Sequence, residues 1–483
     1  MRRSLLALAF AAALGGCAEP EVERPNVVFI VCDTLRADRT STYGHFRPTT
    51  PNLDALAARG TVFERAFAMS SWTLPSMSML MTGEVKSLAD PSILPDHVHM
   101  AESFLDAGYD TAAVVANPIL NGRLGYNRGI ESFEIDRAEQ MSWTADEVLG
   151  KGLRWIDGRA GGERPFFLWL HPVDPHHPYE PLDPRGFEPD AEEAVRDAAR
   201  AALEAQRADH PGTMLADRLS DEDWETVQGI RRLYDSEVYQ FDLALGHLVE
   251  SLEARGLLES TVIVVTSDHG EGLMERPSLP DLKHPEDEAP DLYRRHGLML
   301  HDEQVRIPLV LAGPGVPRGV RRSDWVQHID VVPTLHGLCD LPVKRAQPGR
   351  AMFESAAAES AAAGSAAAGS AASERAAIFA VCARSHSVTV DERWRLHLPK
   401  EFRRKKFGVQ PELYDLEADP DERRPIDDPA RIEALTALIR EWEQAHAPVS
   451  LGGTLDQSTI DTLRSLGYGG EVERKNLPAE KAR

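Results

Sequence analysis

Short continuous runs of apolar residues recur along the chain, and three of them end abruptly in polar side chains. These runs cover 26–31, 166–170 and 261–266, and they are rich in Val, Ile, Leu and Phe. Runs of this length without polar alternation are typical of strands that are buried on both faces of a parallel sheet. They therefore predict three core strands of an α/β domain.

Helical patterns separate these runs. Apolar residues repeat at helical spacing over 234–257, and Gly256 is typical of a helix end just before the third run. A second helical pattern begins at Thr50 and closes at Gly60. Alternating strands and helices predict a large, mostly parallel sheet that is flanked by helices on both faces.

The chain divides into a main domain and smaller units. We predict a main domain at 25–345, a linker rich in Ala, Ser and Gly at 346–376, and a small C-terminal α+β subdomain at 377–470. Residues 471–483 are highly charged and are predicted to be disordered. Within the subdomain, strands are predicted at 377–381, 387–390 and 394–398, and a helix at 431–446. Within the main domain, 184–226 and 276–295 are interpreted as surface insertions.

The N-terminus has the pattern of an export signal. A short basic start precedes an apolar stretch at 4–14 that is too short to span a bilayer. The stretch ends in Leu-Gly-Gly-Cys17, which resembles a bacterial lipobox and implies cleavage before Cys17 and lipidation of its thiol. An ordinary secretory signal is the alternative. With 18–24 as a tether, we expect an exported protein that is lipid-anchored to a bacterial membrane, on its periplasmic or outer-membrane face.

The overall charge limits the class of partner. The chain carries a net charge of −24, which argues against nucleic acid as a partner. A small anionic ester could bind only where the pocket is locally cationic, and a divalent metal would supply that charge.

The cysteines are too few for a disulfide framework. Besides Cys17, the chain has only Cys32, Cys339 and Cys382, and the sequence does not decide whether Cys339 pairs with Cys382. Cys32 lies at a predicted strand end and is interpreted as a small buried apolar residue rather than a metal thiolate.

Metal-ligand chemistry follows each of the three apolar runs. The polar residues at these ends are Asp33 after the first run, His171, Asp174, His176 and His177 after the second, and Asp268 and His269 after the third. Ligands of open α/β sheets bind just beyond the carboxyl ends of the strands. One Asp in such a place could be a turn or cap residue, but three endings that combine carboxylates and imidazoles predict one metal-binding site.

Thr73 is the candidate nucleophile. It precedes Pro75 and a helical pattern that continues through Leu80, so it could also be an N-cap residue without a chemical role. A helix N-terminus presents free amides and positive potential to an anion. A hydroxyl there, beside a divalent metal, would have a lowered pKa and could attack a phosphorus or sulfur centre.

The order of these motifs resembles the sulfatase family within the alkaline phosphatase superfamily. The motifs are NVVFIVCDTLRAD at 26–38, TPNL at 50–53, WTLPS at 72–76, SDHGE at 267–271, HG at 296–297, DE at 302–303, RIP at 306–308, DVVPTL at 330–335 and ELYDLEADPDE at 412–422. The similarity extends from Pro25 to about Tyr468. It implies an alkaline phosphatase/sulfatase-like fold and a metal-dependent hydrolase of sulfate or phosphate esters.

The resemblance also assigns roles to individual residues. Asp33, Asp268 and His269 are similar to the ligands of a catalytic divalent metal, with Thr73 as a further ligand and the nucleophile. Asp174, His176, His177 and His296 resemble residues that contact the transferred group or hold a second metal, and His176 and His296 are candidate catalytic residues. One or two ions are therefore expected. Imidazole ligands favour Zn²⁺ or Mn²⁺, with Ca²⁺ as the alternative.

Other polar residues near these motifs receive weaker interpretations. His171 is interpreted as a core residue or a neighbour of the ligands. Arg36 and Asp38 are interpreted as solvated charges at a helix start, and His301 receives no role.

The departures from the family pattern shape the chemistry. Sulfatases oxidise a Cys or Ser in a Cys/Ser-x-Pro-x-Arg pattern to formylglycine, whereas this chain has Thr73 and Met77 at those positions. Cys32 replaces the first of the usual tandem acids, and His269 replaces an amide ligand. We therefore expect no formylglycine, and we expect phosphoryl transfer through a Thr73 adduct in preference to sulfate ester hydrolysis.

Two alternatives remain open at this point. The first is a membrane-tethered transferase of phospho-head-groups, and the second is a non-catalytic binding lipoprotein that keeps the fold. For the enzyme, the expected partner is a small anionic ester, either free or linked to a glycan or lipid.

Overall fold

The computed structural model describes most of the chain between residues 24 and 446. The described residues are 24–86, 92–93, 96–138, 141–159, 162, 164–182, 221–277, 292–342, 345, 348–353 and 375–446. The predicted signal with Cys17, almost all of the tether, most of the linker and the tail lie outside them, and the unit boundaries stay predictions. Within these ranges, no helix has the length and hydropathy that a membrane span requires.

Strands and helices alternate along the main domain and continue into the C-terminal subdomain. The strands are β1 Asn26–Cys32, β2 Gly60–Phe67, β3 Asp110–Val115, β4 Ser132–Ile135, β5 Phe166–His171, β6 Thr261–Ser267, β7 Gly272–Pro277, β8 Leu292–Arg295, β9 Arg306–Ile307, β10 Leu309–Ala312, β11 Val320–Gln327, β12 Ala377–Val381, β13 Ser385–Val390, β14 Trp394–Pro399 and β15 Glu412–Asp415. The helices are α1 Pro51–Ala58, α2 Thr73–Thr82, α3 Met100–Asp106, α4 Ala145–Gly158, α5 Asp221–Ala254, α6 Asp302–Val305, α7 Val331–Leu338, α8 Glu401–Phe407 and α9 Pro429–Ala445.

Nine strands of the described residues form one large sheet in the main domain. Their order is β11-β2-β10-β6-β1-β5-β3-β4, and β9 pairs with β2. The three predicted core strands are neighbours at its centre, because β1 pairs in parallel with both β5 and β6. The prediction of a mostly parallel sheet is confirmed, although β10 runs antiparallel to β2 and β6 and makes the sheet mixed.

Both faces of the sheet are covered, as the apolar runs predicted. Along β1, Phe29 packs into a core that includes Phe104 of α3, whereas Ile30 packs into a second core that includes Phe241 of α5. Because successive side chains of a strand point to opposite faces, a strand between two helical layers must be apolar throughout. This requirement explains the lack of polar alternation in β1.

One long helix differs from its prediction. The helix predicted over 234–257 begins at Asp221 and ends at Ala254. Buried Val227 and Ile230 extend the apolar face, but the polar residues around them hid the pattern in the sequence. Residues 183–220 lie outside the described part of the chain. At the two ends of the second predicted insertion, β7 and β8 pair antiparallel, and 278–291 lie outside the described part of the chain.

The part of the C-terminal subdomain that the structure describes is a four-stranded antiparallel sheet with α9 packed on it. Its order is β12-β13-β14-β15, and Leu435 and Ile439 of α9 share a core with Leu396 and Leu413. This confirms the predicted small α+β subdomain. The pattern missed β15, which is short, and α8, in which charged residues predominate and no apolar residues repeat at helical spacing. Cys339 and Cys382 are both free and buried, and they belong to different cores.

A buried ionic network joins the subdomain to the main domain. Arg395 of β14 contacts Asp302 at 2.6 Å and Glu422 at 3.0 Å. Glu422 Oε1 lies 2.7 Å from His397 Nε2, and its Oε2 accepts a hydrogen bond of 2.8 Å from the Asp302 backbone N–H. Burial alone would raise the pKa of Glu422, but the charges of Arg395 and His397 hold it well below its usual value of 4.5. The subdomain is therefore attached through a buried carboxylate.

We expect Glu422→Gln to lower the free energy of unfolding at pH 7 by about 3 kcal/mol, because it leaves Arg395 and His397 without their buried partner. Folding lowers the pKa of Glu422, so its ionised form stabilises the wild type above pH 4.5, and this contribution is lost as the pH falls through the folded pKa. The difference between variant and wild type should therefore shrink below pH 4.5. Denaturant unfolding followed by circular dichroism from pH 7 to pH 3 measures both effects.

The matched control is Glu417→Gln, since Glu417 pairs with Arg393 on the same subdomain but its side chain is 71% exposed. Its effect should stay within about 0.5 kcal/mol. The network would not hold the subdomain in place if the two substitutions lowered the free energy of unfolding equally. The same would follow if the difference in this free energy between Glu422→Gln and wild type did not depend on pH.

Candidate active site

The register of two central strands places two carboxylates side by side. Cys32 of β1 pairs with Ser267 of β6, so the next residues, Asp33 and Asp268, leave the same edge of the sheet together. Asp33, Asp268 and His269 are fully buried, and each offers one ligand atom within 4.8 Å of those of the other two. The structure thus brings together the three residues that the sequence analysis assigned to one metal.

Asp33 has one satisfied and one bare oxygen. Its Oδ2 accepts a hydrogen bond of 2.8 Å from Asn117 and lies 3.5 Å from His171 Nε2. Its Oδ1 accepts no hydrogen bond from the described residues and lies 4.0 Å from His269 Nε2. Burial would raise the pKa of Asp33, but the hydrogen bond and charge of the neighbouring histidines hold it below its usual range. Asp33 therefore remains ionised with one oxygen available.

Asp268 repeats this arrangement on the neighbouring strand. Its Oδ1 accepts hydrogen bonds from the backbone N–H groups of Thr34 at 3.0 Å and His269 at 2.8 Å. Its Oδ2 accepts none from the described residues and lies 3.3 Å from His269 Nε2. Burial, followed by the charge of Asp33, raises the pKa of Asp268 to about 7. Two buried carboxylates this close favour a bound cation, which would keep both ionised.

His269 directs a lone pair at the same point. Its Nδ1 lies 2.8 Å from the Gly270 carbonyl oxygen, which can only accept, so the network assigns the proton to Nδ1. Its Nε2 is then an acceptor and lies 3.1 Å from Thr73 Oγ1. Burial lowers the pKa of His269, which favours the neutral ring. Two bare carboxylate oxygens, an imidazole nitrogen and a hydroxyl form a donor set that fits a divalent cation.

Thr73 is the first residue of α2 rather than its N-cap. Trp72 occupies the N-cap position in an extended conformation and makes no side-chain capping bond. The Thr73 hydroxyl is therefore not used in capping, and it is buried against His269. The alternative interpretation of Thr73 as a simple capping residue is wrong for this reason.

Contacts behind the site fix α2 to the end of β6. Ser76 Oγ donates a hydrogen bond of 2.5 Å to the Asp268 carbonyl and lies 3.1 Å from His328 Nδ1. His328 Nε2 lies 2.9 Å from the Ser267 carbonyl. These contacts hold Thr73 in register with Asp268 and His269.

His176 and His296 lie together beside the three ligands. Their ring centroids are 5.1 Å apart, and the His296 ring is 4.5 Å from that of His269. His296 Nδ1 lies 3.3 Å from the buried Glu271 carboxylate. His176 Nδ1 lies 2.5 Å from the His177 carbonyl. The structure therefore brings the two imidazoles together next to His269, and their roles stay predictions.

Asp174 and His177 have other partners. The Asp174 oxygens accept hydrogen bonds from the Ala145 N–H at the start of α4, at 2.6 Å, and from Gln240 at 2.7 Å. Burial raises the pKa of Asp174 to about 6. The His177 ring packs edge-on against Tyr179. Among the described residues, no second group of three metal-ligating side chains lies within reach of one ion.

Cys32 does not face the ligand cluster. Its thiol donates to the Asp174 carbonyl at 2.8 Å, and burial raises its pKa well above the usual value. These contacts agree with a buried apolar role.

The interpretation of Arg36 as a solvated charge is wrong, since Arg36 is 3% exposed and donates to the Glu271 carbonyl at 2.9 Å and to Glu275 at 2.7 Å.

The sequence analysis gave no role to three residues that contact or support the candidate site residues. Asn117 follows the apolar strand β3, which is the same signal that identified Asp33, and it could have been found. Glu271 lies within the SDHGE motif but received no role. His328 supports the site from behind, and nothing in the local pattern identifies it.

Comparisons with known proteins agree with this geometry. The Sulfatase family model matches residues 25–341. Arylsulfatase K of Gallus gallus is 24% identical over 88% of this chain and 84% of its own length. An arylsulfatase of Klebsiella aerogenes is 27% identical over 56% of this chain and 71% of its own length.

Solved structures share the fold. The phosphonate monoester hydrolase of Agrobacterium radiobacter aligns with a TM-score of 0.63 at 21% identity, over 90% of this chain and 99% of its own. A protein whose structure was solved in complex with its substrate D-glucosamine-2-N,6-O-disulfate aligns with a TM-score of 0.62 at 19% identity, over 88% of this chain and 98% of its own. With the family match spanning most of the main domain, the chain belongs to the sulfatase family and is a hydrolase of the sulfuric and phosphoric ester class.

Proposed function

We propose that this protein is a metal-dependent hydrolase of phosphate or sulfate esters that uses Thr73 as its nucleophile, with phosphate esters preferred. The observation that carries the proposal is the position of Thr73 Oγ1, 3.1 Å from His269 Nε2 and beside the bare oxygens of Asp33 and Asp268. The Thr73 hydroxyl lies at a helix N-terminus and next to the candidate cation site, and it does not cap the helix. It is therefore well placed to attack an anionic ester.

The residues divide the chemistry between them. Asp33, Asp268, His269 and Thr73 would hold a divalent cation, which would supply positive charge to the transferred group. Thr73 gives the proton of its hydroxyl to solvent, and Oγ1 attacks phosphorus or sulfur, so that a new ester bond forms while the bond to the alcohol oxygen breaks. His296 or His176 gives a proton to the leaving alcohol oxygen. The same imidazole then takes a proton from the water that attacks the adduct, and the bond to Thr73 Oγ1 breaks to release the anion. Glu271 holds the His296 ring through Nδ1.

The preference for phosphate follows from the nucleophile. A formylglycine hydrate carries two hydroxyls on one carbon, so it can expel sulfate by breaking a C–O bond. The carbon that bears Thr73 Oγ1 has no second oxygen, and release must occur by attack at the transferred atom. A phosphothreonine is open to such an in-line attack by water. The names of similar proteins include both arylsulfatases and phosphonate monoester hydrolases, which supports an anionic ester of either kind.

Further features of the substrate and location are also proposals. Structural neighbours were solved with a disulfated glucosamine and with a neocarrahexaose, and these support a glycan-linked ester as substrate. The lipobox at Cys17 supports export and anchoring to a bacterial membrane. The metal is proposed to be Zn²⁺ or Mn²⁺, because an imidazole is among the ligands.

We expect Thr73→Ala to lower kcat on the best aryl ester by at least about 10³-fold, because it removes the attacking oxygen. Thr82→Ala is the matched control, since it removes a buried hydroxyl from the last turn of the same helix, and its rate should stay within about twofold. Steady-state kinetics on aryl phosphate, phosphonate and sulfate esters measures the effect. A Thr73→Ala enzyme that keeps its rate would exclude the proposed nucleophile.

We expect Asp268→Asn to lose stoichiometric metal, because it replaces an anionic ligand oxygen by a neutral amide. Metal content after dialysis, measured by inductively coupled plasma mass spectrometry, should fall to roughly a tenth or less of the wild-type value. Asp242→Asn is the control, since Asp242 is also buried but accepts its hydrogen bonds from Asn52 and Leu53. Equal metal content in the two variants would show that Asp268 is not a ligand.

When the reaction with a phosphate ester is stopped with acid during turnover, we expect phosphate to remain covalently bound to Thr73. The reason is that the adduct is an obligatory intermediate of this mechanism. Peptide mass spectrometry locates the modification, and Thr73→Ser provides the conservative comparison. Faster turnover of an aryl sulfate than of the matching aryl phosphate would reverse the proposed preference. Transfer of phosphate to an added alcohol, with none to water, would instead identify a transferase.

A further inference from the structure

Helix α8 presents cations and aromatic rings to solvent. Phe402 is 39% exposed and Phe407 is 47% exposed, and no other Phe of the described residues is exposed. Lys405 and Lys406 are also exposed, while Lys400 and Arg404 are partly buried. We name these six residues the α8 patch. Large apolar side chains at such exposure usually mark a contact surface when they occur together.

The charge of this segment opposes that of the protein. Residues 400–407 contain five basic residues and one acidic residue, a local net charge of +4 in a chain whose net charge is −24. The acid, Glu401, pairs with Lys405, but both side chains are largely exposed, so the pair screens little of the charge. Lys406 Nζ lies 5.0 Å from the centroid of the Phe407 ring. Cations and rings therefore share one small surface.

The fold holds α8 in place but does not cover it. Arg403 is buried, and its backbone N–H donates to the Lys400 carbonyl at 2.9 Å. The apolar side of the subdomain sheet is occupied by α9 through Leu435 and Ile439. None of the apolar cores formed by the described residues includes Phe402 or Phe407. Their burial therefore requires a partner outside this part of the chain.

We propose that the α8 patch binds the surface of a membrane rich in anionic phospholipid headgroups, with the rings of Phe402 and Phe407 entering the boundary between headgroups and acyl chains. Clustered lysines and arginines are attracted to anionic lipid, and aromatic rings partition into this boundary. The net charge of the chain as a whole is negative, so repulsion from anionic lipid elsewhere would help to orient the α8 patch toward the membrane.

A soluble acidic polysaccharide is the competing occupant. It would be attracted by the same cations, but it offers no hydrocarbon layer for two exposed phenylalanines. Substitution of the rings separates the two occupants.

The experiment is flotation of the full chain with vesicles of phosphatidylcholine alone or of phosphatidylcholine with an equal part of phosphatidylglycerol. The variants are Lys405→Glu with Lys406→Glu, and Phe402→Ala with Phe407→Ala. The matched control is Arg318→Glu with Arg321→Glu, which makes the same change of charge at two exposed positions in the main domain. The N-terminal segment is identical in every variant, so its contribution cancels.

We expect wild type to bind the anionic vesicles more tightly than the neutral ones, and added salt to weaken this preference. The lysine variant should lose about tenfold or more of its binding to anionic vesicles, and the phenylalanine variant should also lose binding. The control should match wild type. Equal binding of wild type and the lysine variant would overturn the proposal. The proposal would also be overturned, in favour of a polyanion site, if only the lysine variant lost vesicle binding while wild type and the phenylalanine variant bound dextran sulfate equally.

Discussion

The structure depends on two carboxylates that are buried next to each other at the ends of adjacent parallel strands. Pairing of Cys32 with Ser267 fixes Asp33 beside Asp268, and each keeps one oxygen without a hydrogen bond from the described residues. A buried charge without a partner is costly, and two of the same sign are more so. The arrangement is therefore understandable as a cation site, and the surrounding residues can be judged by how they maintain it.

The neighbouring residues satisfy the outer oxygens and leave the inner ones exposed to the site. Asn117 binds one oxygen of Asp33, and the backbone N–H groups of Thr34 and His269 bind one oxygen of Asp268. The carbonyl of Gly270 fixes the tautomer of His269 so that a lone pair faces inward. Each contact comes from a strand end or the turn after it, and such rigid positions preserve ligand geometry better than a mobile loop.

The sequence predicted the parts of this arrangement that repeat locally. Uninterrupted apolar runs identified β1, β5 and β6 and marked the polar residues at their ends. The resemblance to the sulfatase family then selected Asp33, Asp268 and His269 among these as metal ligands. The capping position of Thr73 was wrong by one residue, because Thr is equally acceptable at either position and only the backbone conformation of Trp72 decides. His328 could not be predicted, since it acts through partners distant in sequence and no local pattern marks it. Glu422 ends the motif at 412–422, but its pairing with Arg395 could not be predicted, since the two residues lie on different segments of the subdomain.

The C-terminal subdomain also bears on the geometry of the site. Backbone N–H groups of Gly270 and Glu271, directly after the ligand His269, donate to the carbonyls of Gln304 and Glu303 at 2.9 and 3.0 Å. A Cβ atom at Gly270 would lie 2.1 Å from the Glu303 carbonyl oxygen, so only glycine permits this approach. Asp302, next along the same segment, is bound by Glu422 and Arg395 of the subdomain. Hydrogen bonds and the backbone of 302–304 thus connect the subdomain to the turn that follows a proposed metal ligand, and displacement of either is expected to disturb the other.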